Sequence, residues 1–248
     1  MSPLVKAALE ANAQGERFRL PPGTVVEGDF ALTPKNDLAN ATLIGVEFRD
    51  VNFQGLRLEE SNFSEARFTR CTLTGSFDDS VFTQATFMEC ALTGSFTDCD
   101  FSHSESLACN YSQGLFDGSN FYHSRVEFGR SGSGFPSFVG CKFVEATFAF
   151  CQFRGGEFAM SDFTGAILRN SDVSGGEFSR CEFDAFTMYA VTAVDASFLK
   201  ARFAGASLRG VDLTRAFLTS THMRNVDLIA CILLDANRVD SDWDHVNI

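Results

Sequence analysis

The residues best equipped for chemistry are eight cysteines: Cys71, Cys90, Cys99, Cys109, Cys141, Cys151, Cys181 and Cys231. A set of that size raises the question of a metal centre or a disulfide framework. The spacing argues against both. No Cys-x-x-Cys pair occurs, and the four histidines (His103, His123, His222 and His245) are scattered. Each cysteine instead stands two residues before a Phe, Leu or Tyr. That regularity reads as one small inward slot, where a buried thiol serves as a small hydrophobe. No ligand set for zinc converges. The thiols are therefore expected to be free, with no metal and no cofactor.

Other catalytic signatures are missing as well. The stretch "GRSGSG" (129–134) lacks the lysine and the following helix that a phosphate-binding loop requires. There is no nucleophile elbow and no histidine–carboxylate pair at a useful spacing. Catalysis needs polar groups that converge in a cleft, so an enzyme is not expected.

The elements that must position these side chains follow from a period of five. A large apolar residue recurs at Leu38, Leu43, Phe48, Phe53, Leu58, Phe63, Phe68 and Leu73, and again from Phe138 through Phe143, Phe148, Phe153, Phe158 and Phe163 to Trp243. Two residues before each sits a small one, such as Ala41, Ser61, Ala66, Ala146, Gly156 or Ser161. Five matches neither a helix nor a strand. It suits a chain that turns a corner every few residues and points two side chains inward on each side. The bias to 28 Phe against one Trp and three Tyr agrees with a single slot filled repeatedly.

The motifs "ARFTR", "SNFSE", "ATFAF", "SDFTG", "ARFAG" and "ASLRG" resemble the pentapeptide repeat family, over roughly residues 38–243. The resemblance implies an all-β, right-handed quadrilateral β-helix in which four pentapeptides make a square coil. Coils then stack at a strand spacing of about 4.8 Å. "CTLTGSF" at Cys71 and "CALTGSF" at Cys90 lie nineteen residues apart, and Cys109 follows at nineteen again. A corner one residue short, repeated in adjacent coils at Leu73–Phe77 and Leu92–Phe96, accounts for this. Cys71, Cys90 and Cys109 are then expected in one inward column.

Four segments are expected. Residues 1–36 form an N-terminal cap: a short helix in "SPLVKAALEANAQG" with Ser2 as N-cap and a stripe of Leu4, Val5, Ala8 and Leu9, then an irregular or extended piece. Residues 37–126 form a first β-helix segment, 127–137 an extruded Gly/Ser loop, and 138–248 a second β-helix segment in which Trp243 plugs the last coil. All belong to one continuous solenoid.

A net charge of −12 disfavours nucleic acid or an anionic membrane as a direct partner. No apolar run approaches the length of a membrane span, and the N-terminus does not read as a secretion signal. A cytoplasmic protein is expected. The surface is where function must lie. At twenty-residue spacing Glu157 stacks beneath Glu177 and Asp162 beneath Glu182, with Asp172 in the same coils. Like charges about 5 Å apart repel by about 1 kcal/mol even at a water-like dielectric. Such ladders suggest a surface for a basic partner. The loop adds Arg125, Arg130 and Phe135 as candidate contacts.

Resemblance extends the reading further. Some pentapeptide repeat proteins are acidic rods that imitate duplex DNA, bind type II topoisomerases such as gyrase, and protect them from quinolones. A rod of about ten coils would span about 45–50 Å, where a duplex carries about 27 charges, so mimicry here would be confined to one or two faces. The helical C-terminal module through which topoisomerase-binding members dimerise has no counterpart in "ANRVDSDWDHVNI". A homodimer through a terminal coil stays open. So does the alternative of an interaction scaffold or secretion-associated effector with an unrelated partner.

Overall fold

The computed structural model describes residues 2–28, 38–132 and 134–248. Eleven three-residue strands, from Val25–Glu27 and Glu47–Arg49 to Ser207–Arg209 and Asp227–Ile229, form one parallel sheet in chain order. This sheet is the first face of a square rod. Single bridges build the other three, with one two-residue strand pair, Thr72–Leu73 and Ala91–Leu92, on the second. The second face carries residues 52, 72, 91, 110, 130 and 152; the third carries 57, 76, 95, 115, 137 and 157; the fourth carries 42, 62, 81, 100, 120 and 142. The architecture is the expected quadrilateral β-helix.

Full-length corners are turned by one residue in the left-handed region, for example Asn40 (φ 61°), Gly45 (62°), Asp50 (53°), Gly55 (71°) and Glu60 (54°), whereas the short corners around Gly75 and Gly94 have none. Gly and Asn adopt this conformation readily and bulky residues do not. The ladder imposes it regardless of type, since the corner N–H donates to the coil above. Asp50 N–H to the Thr69 carbonyl, at 2.9 Å, is one of many such bonds.

Inside, the large slots stack ring on ring. Phe63, Phe82, Phe101, Phe121, Phe143, Phe163, Phe183 and Phe203 form one column, with neighbouring centroids 4.7–5.1 Å apart. Phe77, Phe96, Phe116, Phe138, Phe158, Phe178 and Phe198 form a second at 4.8–5.2 Å. Those separations match the rise of one coil. The columns also meet each other edge-on, as in Phe82–Phe96 at 6.1 Å and 62°. Aromatic pairs of these kinds contribute about 0.5–1.5 kcal/mol beyond the area they bury.

The small slot has a polar logic that the sequence reading did not include. The Ser119 hydroxyl accepts from Cys99 N–H (2.9 Å) and donates to the Phe96 carbonyl (2.7 Å). Ser161 bridges Cys141 N–H and the Phe138 carbonyl in the same way, at 3.0 and 2.8 Å. Cysteine thiols reproduce the donation: Cys99 to Phe77 O (3.0 Å), Cys141 to Phe116 O (3.0 Å), Cys181 to Phe158 O (2.9 Å). Serine and cysteine hold this slot because each can bond to the preceding coil.

The two short corners lie one above the other, with Thr72 paired to Ala91, Leu73 to Leu92 and Ser76 to Ser95. A β-carbon on Gly94 would collide with the Gly75 carbonyl oxygen, so only glycine fits there. Coil length varies at this edge, between the second and third faces. The step from one face to the next is four residues at Thr72–Ser76 and Ala91–Ser95, five at Asn110–Leu115 and seven at Arg130–Ser137.

The ends differ in detail from the expectation. Ser2 caps the helix Pro3–Asn12 by accepting Val5 N–H, and Gly15 takes φ 91° beyond its end. Val5 is buried, with Ala8 and Leu9 packed against the core, but Leu4 is exposed. Part of the segment expected to be irregular or extended is already coil. Phe18, Leu20 and Val26 are buried, Arg19 bridges Thr42, and Val25–Glu27 pairs with Glu47–Arg49. The signal was hidden because "RFRLPPGTVVEG" breaks the five-residue phase. Residues 29–36 of the expected cap lie outside the described residues.

The departure at 127–137 is also narrower. Glu127 belongs to the strand Arg125–Glu127, Arg130 bridges both Asn110 and Gln152, and Ser137 bridges Leu115 and Glu157. The two extra residues of this coil fall between Arg130 and Ser137, since both are bridged and Arg125 pairs with Thr147 twenty-two residues on. At the other end Trp243 packs half-buried against the core, with the Arg238 guanidinium 5.3 Å from its ring centroid.

The ring columns carry a testable load. Phe101 stacks on Phe82 at 4.8 Å and on Phe121 at 4.9 Å, so Phe101→Ala is expected to cost about 3–5 kcal/mol. Urea unfolding followed by circular dichroism measures it. Gly94→Ala, smaller in chemistry, should also destabilise the rod through its clash at the short corner.

Candidate functional site

The interior holds its thiols away from reaction. All eight cysteines are free; seven are buried and Cys231 is half-buried. Cys71, Cys90 and Cys109 form the expected column, with Cys71 N–H donating to Cys90 Sγ at 3.4 Å. Burial pushes Cys151 and Cys181 up to about 12. Cys90 is also pushed up to about 12, chiefly by its hydrogen bond with Cys109. Among the described residues no group of histidine, cysteine and carboxylate side chains is arranged to hold a metal ion. No helix among them is long and apolar enough to cross a membrane.

The charged side chains lie on the surface. The acidic ladders have the expected stacking: Glu157 beside Glu177 on the third face, Asp162 beside Glu182 on the fourth, and Asp172 on the second. Their chemistry is more local than repulsion suggests. Asp162 accepts Thr164 N–H at 2.9 Å, Asp172 accepts Ser174 N–H at 2.9 Å and Glu177 accepts Ser179 N–H at 2.8 Å. Each of these three carboxylates satisfies a turn amide two residues on, which gives it a stabilising role. Cations also lie close: Lys142 and Arg202 flank the Asp162–Glu182 pair, and Arg154 reaches Asp172 at 3.6 Å.

The loop residues do not join these carboxylates in one site. Arg125 is on the first face, paired with Glu127 at 2.7 Å beside a shallow groove of about 480 Å³. Arg130 is exposed on the second face. Phe135 is 66% exposed at the edge between the second and third faces, its ring lying over Gly155. The eight singled-out residues span all four faces; Glu157 and Glu177 neighbour each other on the third face, and Asp162 and Glu182 on the fourth.

A denser acidic surface was missed. At the edge between the third and fourth faces, Glu59 and Glu60, Asp78 and Asp79, Asp98, and Asp117 occupy consecutive coils. Backbone rungs join them: Glu60 N–H donates to Asp78 O at 2.9 Å, and Asp98 N–H to Asp117 O at 2.9 Å. Asp100 is close by on the fourth face. Glu60, Asp79 and Asp98 are exposed, and Arg57 pairs with Glu59 at 3.3 Å on this edge. Asp78 accepts Thr97 N–H at 2.9 Å and Asp117 accepts Val139 N–H at 3.0 Å, which fixes both carboxylates. The signal was present in "LEES", "FDDS", "TDCD" and "FDGS", each with an acid just past the large slot. Reading it requires counting nineteen through the short coils, where the ladders at 157–182 follow a count of twenty.

The family model described as pentapeptide repeats matches in eight copies, at residues 37–75, 137–170, 146–184 and 196–235. No curated protein matches the chain. Among solved structures it is similar to HetL, a pentapeptide repeat protein involved in heterocyst differentiation regulation in the cyanobacterium Nostoc sp. strain PCC 7120. That likeness has 18% identity over 96% of this chain and 94% of HetL, with a TM-score of 0.32. It is also similar to trypsin-treated QnrB1, a plasmid-mediated fluoroquinolone resistance protein, at 16% identity over 90% of each chain and a TM-score of 0.45.

Thiol burial yields a measurement. With Ellman's reagent at pH 8 the folded protein should react quickly at Cys231 alone, and at all eight cysteines in denaturant. The raised thiols also set an alkaline limit. Their contribution is complete below the unfolded thiol pKa of about 8.5 and declines as pH rises from there. It is lost towards the folded value of about 12 shared by Cys90, Cys151 and Cys181. Thermal midpoints recorded between pH 7 and pH 11 should fall accordingly.

Proposed function

The chain belongs to the pentapeptide repeat family, and on that premise we propose a non-enzymatic rod for protein interaction. In its most concrete form it stands in for DNA before a type II topoisomerase such as gyrase. The observation that carries the proposal is the acidic edge from Glu59 to Asp117. Seven carboxylates, Glu59, Glu60, Asp78, Asp79, Asp98, Asp100 and Asp117, occupy four coils. Four coils rise about 19 Å, over which a duplex presents about 11 phosphate charges. The local density is thus close to two-thirds that of DNA, well above the average for the whole chain. A basic groove evolved for a duplex would meet a comparable column of charge, fixed in place by the ladder.

The secondary contacts on this reading are the ladders of Glu157, Asp162, Asp172, Glu177 and Glu182, with Arg125, Arg130 and Phe135 near the loop. Their spread over four faces favours a second reading, a scaffold whose partner is unrelated to topoisomerases. Dimerisation through a terminal coil belongs to the proposal too, since the last coil exposes Ile232, Leu234 and Val239.

Gyrase supercoiling, titrated with the protein in the presence and absence of a quinolone, decides between the readings. On the mimic reading the protein inhibits the enzyme or protects it from the drug. The effect should weaken with added salt and in the triple variant Glu60→Gln, Asp79→Asn, Asp98→Asn. No effect at tens of micromolar protein would leave the scaffold reading in place.

A further inference from the structure

Four phenylalanines are exposed among the described residues: Phe128, Phe135, Phe150 and Phe217. The first three gather around one stretch of the second face. Phe128 and Phe150 stack at 5.0 Å and 10° along the edge between the first and second faces. Phe135 rises from the two-residue insertion at the opposite edge, over Gly155. Between these two aromatic rails, Arg130 and Gln152 pair on the ladder, with exposed Arg154 just beyond.

Neither rail is explained by the rod's own stability. Phe128 and Phe150 occupy corner positions with φ of 53° and 56°. Bulky side chains disfavour that conformation, whereas glycine and asparagine accept it. Both rings remain substantially wet, 51% and 39% exposed. Rigid exposed aromatics beside arginine are the composition of a binding hot spot.

Charge identifies the occupant. Glu127 is already engaged by Arg125 at 2.7 Å and Arg169 at 3.4 Å, and Arg169 also sits 5.3 Å from the Phe150 centroid. Asp172 has Arg154 at 3.6 Å. Arg130 has no ion pair among the described residues. On a chain of net charge −12 this stretch has a cationic surplus.

We propose that the second face between these rails docks an extended protein segment carrying carboxylates beside aromatic or apolar side chains. The carboxylates pair with Arg130 and Arg154, and the apolar side chains lie between Phe135 and the Phe128–Phe150 stack. This inference rests on the interaction-rod reading but not on the acidic edge from Glu59 to Asp117 that carries the topoisomerase one. It shares with that reading only the secondary contacts Arg130 and Phe135, and the variants Glu60→Gln, Asp79→Asn and Asp98→Asn should leave the peptide binding unchanged.

The test uses the full chain and a fluorescein-labelled peptide of Asp, Phe and Gly, with fluorescence anisotropy as the readout. Control peptides replace every Asp by Lys, or every Phe by Ser. The acidic aromatic peptide should bind saturably and both controls should not. Arg130→Glu, and separately Phe128→Asn with Phe150→Asn, should each weaken binding by at least about tenfold. Asparagine suits both corners, so the double variant should keep or raise the thermal midpoint; lost binding then reflects lost contact. Equal binding of the lysine peptide, undiminished binding by the double variant, or no binding of the acidic peptide would each overturn the proposal. Self-association of the chain in sedimentation, abolished by Phe135→Ser, would overturn it in favour of a second copy as the occupant.

Discussion

Everything in this rod depends on one constraint: the parallel hydrogen-bond ladder fixes the rise of a coil within the centroid separation of offset-stacked aromatic rings. Phe82, Phe101 and Phe121 stack face to face because the backbone rungs already hold them 4.8–4.9 Å apart. The fit works in both directions. Side chains too bulky to stack at that rise would strain the rungs, and a backbone of another pitch would open gaps between rings. The sequence therefore repeats phenylalanine instead of mixing shapes as a globular core does.

The same constraint divides the surface. On the faces, side chains point out of a ladder that cannot shift, so their spacing is set by the fold. Several polar residues there, Asp162, Asp172 and Asp212 among them, serve the backbone by accepting a nearby N–H. Corners are freer, and the features with no structural explanation lie there: the exposed acids Glu60, Asp79 and Asp98, and the exposed rings Phe128 and Phe150. The two sets carry opposite character. One edge is a column of negative charge; another is aromatic and adjoins unpaired cation.

The fold was largely legible in the amino-acid sequence because its period is imposed by packing and repeated many times. The five-residue slots, the inward cysteines and the stacked short corners all follow from counting. Three things did not follow. The first coil around Phe18, Leu20 and Val26 was concealed because paired prolines and Gly23 break the phase there. The acid-to-amide bonds were invisible because whether Asp162 repels Glu182 or caps Thr164 depends on side-chain direction. The edge from Glu59 to Asp117 was missed for a plainer reason. Its members line up through coils of nineteen, and one lost residue per turn scatters them along a twenty-residue grid.

The edge between the second and third faces gathers a four-residue step, a five-residue step and a seven-residue step within neighbouring coils. The other three columns pass through these coils in register. Chain added or removed at that edge is thus mechanically isolated from the rest of the rod, as a bead threaded onto one seam leaves the other seams straight. The two extra residues between Arg130 and Ser137 are consequently absorbed where they enter, and Arg125 still meets Thr147, Ser137 still meets Glu157 and Lys142 still meets Asp162 on the neighbouring faces.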